Sequence, residues 1–161
     1  MAGLESLAEG HPRRTLATGD VLLVDGDPAG ALFVLLDGAL RIEKGGAPIA
    51  IVADRGACVG EMSLLLGVPA TADVVADRPS VVAVIEDAER LIEHDRELAL
   101  ALARLLASRL QMMTSYLADL KHQYADHEGG LGMIDVVLGT LLQGSGSRSE
   151  FGSERDPDPQ Y

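Results

Sequence analysis

Between Arg14 and Glu86 the chain is a succession of short apolar runs, each closed by turn residues. The runs are Val21–Val24, Leu32–Leu36, Ala39–Glu43, Ile49–Ala53, Ala72–Ala76 and Val81–Glu86. Between them stand Asp25-Gly26-Asp27-Pro28, Asp37-Gly38, Lys44-Gly45-Gly46 and Asp77-Arg78-Pro79. Short strands broken by Gly, Pro and Asp predict an antiparallel β-sandwich or roll. Asp37-Gly38 between two apolar runs predicts a tight hairpin. One segment departs from this texture. Gly60–Leu66, GEMSLLL, reads as a short helical turn set among strands.

Near Asp87 the period changes. From there to about Tyr124 the chain has neither Pro nor Gly. Leu106, Leu110, Met113, Leu117, Leu120 and Tyr124 follow at spacings of 4, 3, 4, 3 and 4, a heptad seam. Such a stripe either packs on the roll of its own chain or pairs with a second copy. Its length and strict spacing favour a parallel homodimer. Glu128-Gly129-Gly130 then stops the helix. Residues 131–143 carry apolar positions at 131, 134, 138, 141 and 142, an amphipathic helix weakened by Gly132 and Gly139. This helix either covers its own roll or docks on a protein partner through 131–142. Residues 144–161 are rich in Gly, Ser and Pro and read as a disordered tail.

Composition narrows the function. Aromatic residues make up only 3%, with no Trp, so the core must be aliphatic. The formal net charge is −12, with 13 basic residues against 25 acidic ones. No basic patch is available for direct nucleic-acid contact, and an anionic membrane surface is disfavoured for the same reason. The first residues lack the apolar stretch of a signal peptide, and no run is long enough to span a bilayer. The expected compartment is the cytoplasm. Cys58 is the single cysteine and reads as a small buried hydrophobe. His11, His94, His122 and His127 avoid the predicted strands, so neither a jelly-roll metal site nor any other metal is expected. No nucleophile–base pair or carboxylate pair stands out, and the chain does not read as an enzyme.

Two segments resemble the cyclic-nucleotide-binding domain family. GDVLLVDGDPAGALFVLLDGAL, residues 19–40, is similar to its opening hairpins, and VGEMSLLLGVPATADVVA, residues 59–76, resembles its phosphate-binding cassette. The resemblance implies a mainly β fold with α elements. This is an antiparallel β-roll or jelly roll with an inserted short cassette helix, followed by a long C-terminal dimerisation helix. The implied organisation is a lead-in at 1–13, a cyclic-nucleotide-binding-like domain at 14–127 (roll 14–86, helices 87–127), the amphipathic helix 131–143 and the tail 144–161. Transcription factors of the family carry a helix-turn-helix domain after the long helix. Residues 128–161 are too short for its three helices and not basic, which implies a stand-alone regulatory or sensor domain, or a ligand-independent interaction scaffold.

The resemblance also implies a site. Its residues are Gly60, Glu61, Met62, Ser63, Ala70, Thr71 and Ala72, and its ligand is cyclic AMP or cyclic GMP. A Gly and the N–H groups of a helix start suit an anionic phosphodiester. Glu61 suits a ribose hydroxyl, or else the dipole of its own helix. In the family an arginine follows the cassette proline and grips the phosphate. Here that position is Ala70, between Pro69 and Thr71. Losing one partner of a buried charge pair costs about 2–5 kcal/mol, or roughly 30- to 3,000-fold in affinity. Nucleotide binding is therefore expected to be weakened or altered. Arg55 and Arg78 are the nearest substitutes in sequence, and nothing in the spacing brings either to the phosphate.

Two predictions follow from the helical segment. Replacing Leu110 and Leu117 with Glu leaves the roll folded and yields monomers; a double variant that stays dimeric by light scattering contradicts the seam. Truncation after Glu128 abolishes partner pull-down without lowering the melting temperature if 131–142 is a docking helix, whereas a lowered melting temperature marks self-packing.

Overall fold

The structure, a computed structural model, describes residues 4–123 and 131–143. It divides into two compact units, Met1–Leu106 and Ala107–Tyr161, each described here by itself. The first holds α1 (Leu4–Ala8), β1 (Arg13–Leu16), β2 (Val21–Leu23), β3 (Leu32–Lys44), β4 (Ala47–Val52), β5 (Cys58–Val59), α2 (Glu61–Leu66), β6 (Asp73–Ile85), α3 (Ala88–His94) and the start of α4 (Arg96–Gln123). The strands form one antiparallel, unclosed sheet in the order β1-β6-β3-β4, with β2 also on β6 and β5 also on β3. The β-roll architecture with an inserted short helix and a long following helix is present as expected.

The apolar block Leu32–Leu36 explains itself by position. Both of its faces are covered, so it reads as a continuous run instead of an alternation. Leu32, Val34 and Leu36 pack with Cys58, Ile85, Leu98 and Leu102 under the helices. Phe33 and Leu35 point the other way, into a cluster with Leu16, Leu22, Leu40 and Val82. The core is aliphatic apart from Phe33, and Cys58 is fully buried within it.

The hairpin expected at Asp37-Gly38 is absent. β3 runs straight through it as one strand of thirteen residues, and β6 likewise runs through Asp77-Arg78-Pro79. The two strands pair along their length, with register shifts between Leu35 and Leu40. These are β-bulges, where a proline that cannot donate to the ladder is tolerated. Gly38 sits at φ 100°, and a Cβ there would lie 2.5 Å from Ser80 Cα and 2.6 Å from the Pro79 carbonyl oxygen. The glycine serves a close crossing of two strands, not a reversal. Ser80 repairs the interrupted ladder: its buried Oγ accepts from Ala39 N–H at 3.0 Å and lies 3.1 Å from Ala39 O and 2.7 Å from Arg78 O. The tight hairpin is instead Gly45-Gly46, which joins Lys44 to its partner Ala47.

The helical stretch after Glu86 also divides where neither Gly nor Pro marks it. Asp95 leaves the helix at φ −111°, ψ 100°. Its Oδ1 then accepts from the N–H groups of Glu97 (2.9 Å) and Leu98 (3.1 Å), the N-cap that starts α4.

The second unit contains the rest of α4 and α5 (Leu131–Gln143). Lys121 Nζ and Asp135 Oδ1 form an ion pair between them. In α5, Ile134, Leu138 and Leu141 are half-buried, while Met133, Val136 and Val137 are exposed. Of the heptad seam, Leu110 and Met113 are exposed, and Leu106, Leu117 and Leu120 are half-buried. Tyr124, the Glu128-Gly129-Gly130 stop and the tail 144–161 lie outside the described residues. Among the described residues no helix is long and apolar enough to cross a membrane, and no cluster of potential metal ligands occurs.

The β3–β6 crossing generates a stability prediction. Gly38→Ala combines a left-handed backbone with overlap against Ser80 and destabilises by about 3 kcal/mol or more. Ser80→Ala leaves the buried Ala39 N–H unpaired and costs about 1–3 kcal/mol. Urea midpoints unchanged from the wild type in both variants contradict this account of the crossing.

Candidate functional site

The site is built around one glycine. β5 ends at Val59, and Gly60 turns the chain into α2 at φ 91°, ψ −8°. A Cβ at this position would stand 2.7 Å from the Ala31 carbonyl oxygen. Only a residue without a side chain lets α2 begin so close to the start of β3. Helix α2 then buries Glu61, Ser63 and Leu64 and closes at Gly67, whose N–H donates to Ser63 O. The link to β6 is pinned to the Asp25–Pro28 turn. Ala70 N–H donates to Asp27 O at 2.8 Å, and Gly26 N–H donates to Ala70 O at 2.7 Å. Asp73 completes the clasp: its Oδ1 accepts from Asp25 N–H at 2.7 Å, so its carboxylate serves the turn.

These segments enclose a cavity of about 460 Å³. Gly60, Ser63 and Ala70 form its cassette side, and Leu23, Ala31 and Phe33 form an apolar wall from the strands. Among the described residues its charged lining is acidic, Asp27 and Glu86. Ala29, Gly30 and Glu86 are shared with a larger neighbouring cavity of about 1000 Å³ beside α3. There Glu86, Asp87, Glu89 and Glu93 outnumber Arg90 and His94.

Of the seven residues singled out from the sequence, the structure thus brings Gly60, Ser63 and Ala70 to one wall. Glu61 is only 3% exposed and does not line the cavity. Its place in the first turn of α2 suits the helix dipole. Met62 is exposed on the outer face of α2, and Thr71 and Ala72 precede β6 without reaching the cavity. Leu23, Asp27, Phe33 and Glu86 were not singled out. They come from distant segments, and no local pattern marks them as neighbours of α2.

Four cations of the strands and their loops are engaged elsewhere. Arg55 pairs with Glu5 and donates to Leu36 O at 3.0 Å. Arg78 donates to Gly38 O at 3.0 Å. Lys44 pairs with Asp25 at 2.9 Å and donates to Thr71 O. Arg41 holds Glu43 at 2.5 Å and Asp77 at 2.6 Å. Its hydrogen bonds to Glu43, then Asp77, raise its pKa above the ordinary arginine value. None of these four lines the cavity.

Comparison with known families completes the picture, because the cyclic nucleotide-binding domain matches residues 13–95. The chain belongs to this family. The fold is the regulatory domain that the family shares. The N-terminal domain of a transcriptional regulator from Streptomyces coelicolor A3(2) is 27% identical, with a TM-score of 0.52 over 66% of this chain and 81% of that one. The catabolite activator protein of Thermus thermophilus is 28% identical, with a TM-score of 0.57 over 76% of this chain and 59% of that one. The regulatory subunit of a cAMP-independent protein kinase A from Trypanosoma brucei is 22% identical and shares the fold, with a TM-score of 0.54 over 64% of this chain and 37% of that one. No curated protein matches the chain.

Proposed function

We propose that this cyclic nucleotide-binding domain is a homodimeric regulatory sensor in which the cyclic-phosphate interaction is weakened or altered. The observation that carries this reading is the lining of the α2 cavity. Ala70 occupies the family's arginine position with its side chain 7% exposed on the cavity wall, and the charged residues beside it are carboxylates. The volume suits a nucleotide-sized ligand. The charge does not: among the described residues an anion would meet Asp27 and Glu86 without a compensating cation on the wall.

The route from ligand to output follows from packing. Leu64 of α2 is buried in the same cluster as Ala88, with Leu91 and Ile92 of α3 packed against it. A ligand seated on Gly60 and Ser63 therefore bears on α3 through Leu64. From α3 the chain passes through the Asp95 cap into α4, which carries the seam Leu106, Leu110, Met113, Leu117 and Leu120. Only a ligand with different affinities for two arrangements of α2 and α3 shifts their populations.

Isothermal titration calorimetry with cyclic AMP and cyclic GMP tests the reading. The wild type is expected to bind both more weakly than micromolar. Ala70→Arg is expected to strengthen binding at least 30-fold, the lower end of what a buried charge partner contributes. Arg55→Gln and Arg78→Gln are expected to change nothing. Micromolar binding to the wild type overturns the reading.

A further inference from the structure

The α2 cavity has a chemistry of its own. It offers an apolar wall, one hydroxyl and two carboxylates. Leu23, Ala31, Phe33 and Ala70 supply the wall. Ser63 lines the cavity at 7% exposure, and its hydroxyl makes no hydrogen bond to any described residue. Its oxygen is open to the cavity, where a ligand donor or acceptor can pair with it. Asp27 commits Oδ2 to Val24 N–H at 2.9 Å and keeps its other oxygen for a further donor. Glu86 stands exposed where the two cavities meet, and Asp87, Glu89 and Glu93 extend the negative lining beyond it.

We propose that this cavity binds a small organic cation, an aromatic or apolar body carrying one protonated amine. The proposal rests on the reading above that the cavity disfavours an anion, and it adds the sign and shape of the favoured ligand. The body is seated against Phe33 and Leu23, where burial of apolar surface drives binding. Its ammonium faces Asp27 and Glu86, and a polar edge meets Ser63. About 460 Å³ accommodates a bicyclic aromatic body with a short side chain.

Three probes with one indole body and different charges test this: tryptamine, tryptophol and indole-3-acetate, titrated into the full chain at neutral pH by calorimetry. The expected order of affinity is cation, neutral, anion, with at least about tenfold between the ends. The double variant Asp27→Asn with Glu86→Gln is expected to weaken tryptamine up to about 25-fold, since each partly exposed charge contributes up to about fivefold. It should leave tryptophol unchanged. Asp54→Asn, on an exposed loop, is the control and should leave all three unchanged. Equal affinities for the three probes, no binding of tryptamine, or a double variant that keeps tryptamine affinity each overturns the proposal. Cyclic AMP in the same series separates the two readings. Micromolar cyclic AMP binding defeats both; weak cyclic AMP binding with probes that ignore charge defeats only this one.

Discussion

β3 and β6 pair antiparallel from Leu32↔Ile85 to Glu43↔Asp73, and every other strand rests on one of them. β1 and β2 lie on β6, and β4 and β5 lie on β3. The pairing survives its own irregularities because Gly38 lets the strands approach and Ser80 replaces a lost ladder bond with its hydroxyl. Both faces of β3 are then buried, one under the helices and one inside the roll. The burial on each side is what commits these strands to a single register.

That register places the site. β5 pairs with β3 at Phe33↔Val59, so Gly60 follows beside the first residues of β3 and α2 starts against Ala31. β6 begins at Asp73, so Pro69 and Ala70 return along the Asp25–Pro28 turn. The cavity is the space left between these constraints. Its shape rests in part on backbone bonds at position 70 that do not use the side chain. Its charge depends on Asp27, Glu86 and the residue at 70. On the proposed reading, shape and charge are separable in this domain: the cavity is formed while its described charged lining is acidic.

Much of this was legible in the residues, and the exceptions have physical causes. The apolar runs lie within β2, β3, β4 and β6 or overlap their ends, and GEMSLLL is α2. Asp37-Gly38 misled because a glycine at positive φ serves a bulge as well as a hairpin, and local chemistry does not separate the two. Asp77-Arg78-Pro79 misled for the same reason, since a bulge excuses proline from the ladder. β5 has two residues, too few for any period. Asp95 did carry a signal, an N-cap residue followed by Glu97 and Leu98, inside a stretch read as uninterrupted. At the site, Gly60, Ser63 and Ala70 were legible through the cassette. Asp27, Phe33 and Glu86 were not, because strand pairing alone brings them to α2.

On the proposed reading the α2 cavity is formed, and the absence of a cation at position 70 is what weakens its hold on a cyclic phosphate. The most direct measurement is an amide chemical-shift titration with cyclic AMP on the wild type and on Ala70→Arg. Saturable shifts centred on Gly60, Ser63 and residue 70 are expected in the variant, and negligible shifts at the same ligand concentrations in the wild type. Saturable shifts at those amides in the wild type, or their absence in a folded Ala70→Arg variant, would contradict this reading.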